Sequence, residues 1–361
     1  FDKDALLETI YGGRVEYKKR WLNVGATHYF QQFGADIQAG TDDYNQYNFQ
    51  GDLNYLTGLD FDVTVRNFNF FGEVGRSALG GTGMILGALG SLHRKVDVAI
   101  QFRNFDRDFH AFRGYIFGER PTAVQNERGV YLGMKIMPTP KWTFSTYFDQ
   151  FVFPWHKFNT AFPSRGHEFL AQLQYRPSRK LSMYVRWRAD SKEINARELD
   201  EGQQVEVLVP TQRNGLRLHL QYKPHRTLAV RSRVEKSWFR RGHLDALEEQ
   251  HGGIIAYQDV SWKIGWKWKI TARYAVFDTP DFDSRIYAFE NDVLGFFSIP
   301  AYSGVGSRYY AIINYKPVKG VEFWARWART KFYYDDVIGS GLNEIQGDTR
   351  TEIKLQMRLS F

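Results

Sequence analysis

The chain ends in "RTEIKLQMRLSF", residues 350–361. Ile353, Leu355, Met357, Leu359 and Phe361 are apolar, while Glu352, Lys354, Gln356, Arg358 and Ser360 between them are polar or charged. An unbroken period of two is the mark of a strand whose two faces meet different surroundings. The chain stops on an aromatic with no polar tail after it.

Working outward, the same alternation recurs along almost the whole sequence. It predicts strands over 11–19, 21–32, 48–64, 68–77, 81–91, 95–105, 127–137, 141–151, 166–176, 180–190, 212–222, 226–237, 252–264, 266–277, 305–316, 319–332 and 349–361. The count is seventeen within one or two, because 48–77 divides in more than one way and "RIYAFEN" (285–291) can extend a strand. Helical periodicity is scarce.

The connectors alternate in kind. Tight ones hold Pro, Gly and basic residues between two alternating runs, as in "MPTPK" (137–141), "YRPSRK" (175–180), "YKPHRT" (222–227), "KIGWK" (263–267) and "YKPVKG" (315–320), which marks hairpins. The others are long: 106–126, 152–165, 191–211, 238–251, 278–304 and 333–348. Short turns at one end and long loops at the other describe an antiparallel meander.

The faces separate a soluble sandwich from a membrane wall. Leu181, Met183, Val185 and Trp187 oppose Ser182, Tyr184, Arg186 and Arg188; Leu216, Leu218 and Leu220 oppose Arg217, His219 and Gln221. A soluble sheet with one wet face shows the same pattern. These runs, however, span about 10 to 12 residues against the roughly 5 to 6 of soluble strands, close to what a tilted strand needs to cross a bilayer. Tyr175, Tyr222, Trp142, Trp266 and Tyr315 cluster where apolar faces meet the short turns, as an interfacial girdle does. The expected fold is therefore all-β, a transmembrane antiparallel up-and-down β-barrel of 16–18 strands with short periplasmic turns and long extracellular loops, in the outer membrane of a Gram-negative bacterium. On this reading Phe361 is the terminal assembly signal that outer-membrane barrels share.

Composition agrees. The 361 residues are 43% hydrophobic and 17% aromatic, yet the mean hydropathy is −0.47. The longest apolar window, "GMILGALG" (83–90), falls far short of a spanning helix. With no cysteine, disulfides and thiolate metal sites are excluded. The sequence as it stands shows no signal peptide, and one is expected to have been removed. Residues 1–361 are expected to form a single barrel domain; an odd strand count and a start, "FDKDALLETIYGG", that enters a strand almost at once suggest the C-terminal part of a longer chain.

If apolar faces meet lipid, the alternate residues line the interior. That set contains Arg186, Arg188, Arg217, Arg231, Arg233, Lys267, Lys269, Arg273, Arg326, Lys354 and Arg358 against Glu235, Glu322 and Glu352, a basic lumen lining. Acids gather in the loops, as at Glu198, Asp200, Glu201, Asp245, Glu248 and Glu249. The bland account is a polar interior whose charges satisfy one another; the sharper one is a funnel favouring anions, phosphate-rich polymers included. Catalytic motifs, phosphate loops and Cys/His clusters are missing, so no catalytic residue, metal or cofactor is expected. His219 beside Arg217 reads as a satisfied lumen histidine before a lipase base. Asp335, Asp336, Glu344 and Asp348 read as solvated loop charge before a Ca²⁺ site.

Several stretches, "VRNFNFFGEVG" (65–75), "QFRNFDRDFHAFRGYIFGE" (101–119), "NERGVYLGMKI" (126–136), "YFDQFVFPWHKFNTAFPSRGHEF" (147–169) and "IGSGLNEIQGDTRTEIKLQMRLSF" (338–361), resemble the C-terminal barrel of helix-hairpin-helix, competence-type outer-membrane proteins of Bacteroidetes-like bacteria. The resemblance implies an outer-membrane barrel that follows DNA-binding helix-hairpin-helix repeats, which this sequence lacks. Phe71, Gly72, Glu73, Asn126, Glu127, Phe153, Pro154 and Trp155 match its motifs and read as structural. The expected function is a non-enzymatic pore or translocation component for DNA or other polyanions. The alternative is a plugged scaffold that docks partner proteins, and an embedded hydrolase stands third. The expected partners are outer-membrane lipid, other envelope proteins, and DNA through a domain absent from this chain.

Overall fold

The computed structural model describes residues 6–120, 123–200, 203–242 and 249–361. Strands dominate: β1 (Glu8–Lys19), β2 (Leu22–Ile37), β3 (Gly51–Val65), β4 (Phe68–Ser77), β5 (Thr82–His93), β6 (Val96–Phe105), β7 (Glu127–Thr139), β8 (Trp142–Phe153), β9 (Ser164–Tyr175), β10 (Leu181–Asp200), β11 (Gln203–His225), β12 (Leu228–Arg241), β13 (Glu249–Ile264), β14 (Trp268–Thr279), β15 (Ile286–Tyr287), β16 (Ala301–Tyr302), β17 (Gly304–Tyr315), β18 (Val321–Phe332), β19 (Val337–Ile338), β20 (Ile345–Gln346) and β21 (Thr349–Leu359). Seventeen of them form one sheet in which every strand pairs antiparallel with its neighbours along the chain, an up-and-down barrel wall. The pairs β15–β16 and β19–β20 are small hairpins inside long loops, so "RIYAFEN" belongs to a loop and not to the wall.

Two-residue turns such as Arg94–Lys95 and Arg226–Thr227 close one end. The long connections 106–126, 154–163, 280–303 and 333–348 close the other. Among the described residues no ladder joins β1 to β21, and both run toward the short-turn end.

Two long loops expected from the sequence are instead ladder. The β10–β11 pairing continues from Ser191↔Gln212 to Asp200↔Gln203, and β12 and β13 pair out to Arg241↔Glu249. At about 3.3 Å per residue β10 is roughly 65 Å long, which outreaches a ~30 Å hydrocarbon core even when tilted about 45°. Beyond the membrane no hydrocarbon enforces an apolar outer face, so backbone pairing persists while the apolar alternation weakens. Of the loop acids expected there, Glu201, Asp245 and Glu248 lie outside the described residues.

Burial follows the parity of the sequence but inverts the logic of a soluble core. Trp187, Leu218 and Leu355 are 47%, 49% and 79% exposed on the outer face, which contradicts a sandwich packed around them. Outer aromatics stack at the short-turn end, Trp142 on Tyr175 with centroids 4.3 Å apart and Trp268 on Tyr315 at 3.9 Å. The dry clusters lie inside, where loops press on the wall: Phe109 and Val124 of loop 106–126 pack on Leu56 and Phe105, and Ile286, Ala288 and Tyr302 of loop 280–303 pack on Ile255, Ala275 and Phe277. Glycine makes room for the first of these. A Cβ at Gly83 would stand 2.4 Å from the Phe109 ring.

Candidate functional site

Register carries the lumen face from strand to strand, because directly paired residues share a side of the sheet. On β10–β14 that face shows Arg186, Arg188 and Lys192, then Arg213 and Arg217, then Arg231 and Arg233, then Lys263, then Lys269 and Arg273, against Asp190, Glu235 and Asp259. Half-way round, on β1–β6, carboxylates lead: Glu8, Glu16, Asp60, Asp62, Glu73 and Asp97 against Arg14, Lys18 and Arg103. The basic lining is thus an arc facing a more acidic one, a lateral charge separation that residue parity alone leaves unseen.

Of the eleven cations assigned to the lining, ten take lumen positions on the ladder. Lys267 does not. Gly265, at φ 60°, opens a turn over Gly265–Lys267, so β14 begins at Trp268 and Lys267 is exposed at the rim with its Nζ 5.0 Å from the Trp266 ring centre.

Many of these charges are matched within the wall. Arg273 donates to both oxygens of Asp259 at 2.5 and 2.8 Å, Arg217 to both of Glu235 at 2.7 and 3.1 Å, Arg188 pairs with Glu168 at 2.9 Å and Arg358 with Glu322 at 2.7 Å. Arg233 also reaches Glu235. Others are matched by loop 280–303, which folds inward with its acids leading. Glu290, fully buried, accepts from Arg308 at 2.7 and 3.0 Å, from Arg326 at 2.6 Å and from the Tyr302 hydroxyl at 2.7 Å. Asp292 accepts from Lys354 at 2.6 Å, and the Leu294 carbonyl accepts from Gln356 at 2.9 Å. Burial alone would push the Glu290 carboxyl up; the Arg308 hydrogen bonds and charge, with Tyr302 and Arg326, overcome it and hold the group below the usual carboxylate range.

Among the described residues Arg186, Arg213, Arg231, Lys263 and Lys269 have no carboxylate within ion-pair distance. The Arg186 Nε donates at 2.8 Å to the Gln172 amide oxygen, a neutral acceptor. The arc therefore keeps an uncompensated positive field after the wall and the loop have settled their own charges.

The other inward loop, 106–126, is held by residues that the sequence marked as structural. Asn126, at φ 55°, accepts from Trp155 N–H at 2.8 Å and donates to Trp155 O at 3.0 Å. Glu127 accepts from Arg103 Nε at 2.6 Å and from Glu119 N–H at 3.0 Å, while Arg103 grips Asp149 at 2.8 and 3.1 Å. These buried clamps tie loop to wall. Sequence reasoning missed Glu290 and Asp292, because nothing local shows that a loop acid will fold into the lumen.

His219 stacks on Tyr184 with centroids 5.0 Å apart, and its Nδ1 is buried without a hydrogen-bond partner. Asp335, Asp336, Glu344 and Asp348 form no metal-holding group among the described residues; Asp348 faces Lys331 at 3.6 Å. No described helix is long and apolar enough to cross a membrane. Phe361 lies fully exposed beyond the end of β21.

No protein-family model matches the chain, and no curated protein matches it either. Solved structures do. An iron transporter, FrpB from Neisseria meningitidis, aligns with a TM-score of 0.54 at 11% identity over 99% of this chain and 63% of its own. An anion-selective porin from Comamonas acidovorans aligns at 0.44 and 12%, over 99% of this chain and 100% of the porin. An outer-membrane protein of Vibrio cholerae, OmpT, aligns at 0.41 and 10%, over 99% and 98%. The fold shared with FrpB is that of outer-membrane β-barrels.

Proposed function

We propose that the barrel is a non-enzymatic pore or translocation component whose basic arc favours anions. The observation that carries this reading is the set of arc cations left without carboxylate partners, headed by Arg186, Arg213 and Arg231. Water-filled lumens lined by one sign of charge raise the local concentration of the opposite ion. Phosphate-rich polymers such as DNA fall within that class, and the resemblance to helix-hairpin-helix proteins points the same way.

A second reading has an observation of its own. Loops 106–126 and 280–303 both fold inward and are clamped by buried ion pairs, which suits a plugged scaffold that presents its rim to envelope partners. Reversal potentials in planar bilayers separate the two. The pore reading expects a current that prefers chloride over potassium; silence, together with co-purifying partner proteins, overturns it. Lipid hydrolysis abolished by His219→Ala would overturn the non-enzymatic assignment.

A further inference from the structure

The arc contains a built pocket. Gly215 of β11 sits directly opposite Arg188 of β10, Arg186 stands opposite Arg217 one step toward the short turns, and Arg213 stands opposite Asp190 one step the other way. Like charges directly opposed across a ladder repel, yet Arg186 and Arg217 are placed so. With no side chain at Gly215, four guanidiniums surround an opening in the wall. A Cβ built there would meet only Lys236 O at 3.9 Å and a Glu235 oxygen at 4.0 Å. Arg285 and Tyr287 of the inward loop 280–303 cover this opening and complete a cavity of about 370 Å³.

The donors of the cavity are not saturated. Arg186 spends its Nε on Gln172, a neutral amide. Arg213 gives one Nη to the Asp283 carbonyl at 3.2 Å, and its Nε is buried without a partner. Guanidinium forks match tetrahedral oxyanions bidentately, and convergent arginines are the usual means of holding phosphate.

We propose that this pocket binds a phosphate group, as free phosphate or as the phosphate of a passing solute. The inference rests on the reading of the barrel as an anion passage and names the ligand class of its basic arc. A phosphate there would take up the free donors of Arg186 and Arg213, with only Nη1 of Arg217 to add, since its Nε and Nη2 stay on Glu235.

The test uses the folded protein in detergent and radiolabelled inorganic phosphate in equilibrium dialysis, so that it does not depend on conductance. One saturable site is expected, with affinity reduced tenfold or more by Arg186→Gln. Gly215→Leu, which fills open space and improves strand propensity, should abolish binding while the heat-modifiable gel mobility of the folded barrel is unchanged. A short oligonucleotide that displaces the label identifies a polymer as one source of the phosphate; displacement by diphosphate alone identifies small solutes. Absence of saturable binding, or binding indifferent to both substitutions, overturns the proposal. Bilayer silence with intact phosphate binding would instead overturn the pore reading and leave the site standing.

Discussion

Lys157, on loop 154–163, holds its Nζ 3.5 Å from the Phe153 ring centre. Burial, then the nearby charges of Arg120 and Lys192, push this amine down to about 8. Half of it should therefore be unprotonated near pH 8, and acylation of Lys157 measured by mass spectrometry should rise through that pH, about two units below ordinary lysines. The sign for stability is opposite to that of a paired lysine: the cost of the charged form is present below about pH 8 and is relieved as pH rises from 8 to about 10.4. At Glu290 the balance is reversed. Glu290→Ala removes the buried carboxylate that Arg308 and Arg326 grip most closely and leaves them the longer contacts to Glu352 at 3.3 and 3.4 Å, a change at the lower end of the about 3 to 5 kcal/mol of a broken buried pair. We expect it to free loop 280–303, seen as new protease cleavage between 280 and 303, while the wall keeps its folded gel mobility.

The β10–β11 hairpin shows what an element owes to its surroundings. Inside the membrane its alternation of Leu181, Met183, Val185 and Trp187 with arginines was legible, since hydrocarbon enforces an apolar outer face. Beyond Ser191 the segment "SKEINARELD" is polar on both sides, and only the ladder reveals it as strand. Its extension also braces loop 154–163, with Asn195 Oδ1 accepting from Ala161 N–H at 2.9 Å, and holds the start of β9, where Glu193 pairs with Arg165 at 3.2 Å. Replacing residues 193–210 by a two-residue turn should leave the barrel folded, as judged by gel mobility, and expose Lys157 to trypsin. Loss of the folded band would mean that the hairpin is part of the wall's own stability. Loop docking was not legible for a physical reason: Glu290 meets Arg308 and Arg326 across eighteen and thirty-six residues of sequence, and no local pattern records such a contact.

For the whole molecule, the charge separation between β10–β14 and β1–β6 makes any anion preference dependent on salt. Screening shortens from about 10 Å at 0.1 M to about 3 Å at 1 M, so the selectivity read from reversal potentials should decline across that range. Acid should act through the inward loop. The Glu290 carboxyl is held below its ordinary value, so the clamp is fully present above about pH 4.3 and is lost as pH falls through the lowered value; conductance should rise steeply in that acid window. Parity gave the two faces. It could not give the lateral asymmetry, which depends on how many steps of the ladder separate one strand from another.

The account stands on alternate side chains facing lipid and lumen, and the sequence contains no cysteine, so single cysteines can be introduced one by one from Leu181 to Asp190 in liposome-embedded protein. A membrane-impermeant maleimide should label positions 182, 184, 186 and 188, while 181, 183, 185 and 187 should stay unlabelled and, once spin-labelled, relax with oxygen in the bilayer. Equal labelling of both sets, or protection of the arginine positions with access at Trp187, would contradict it.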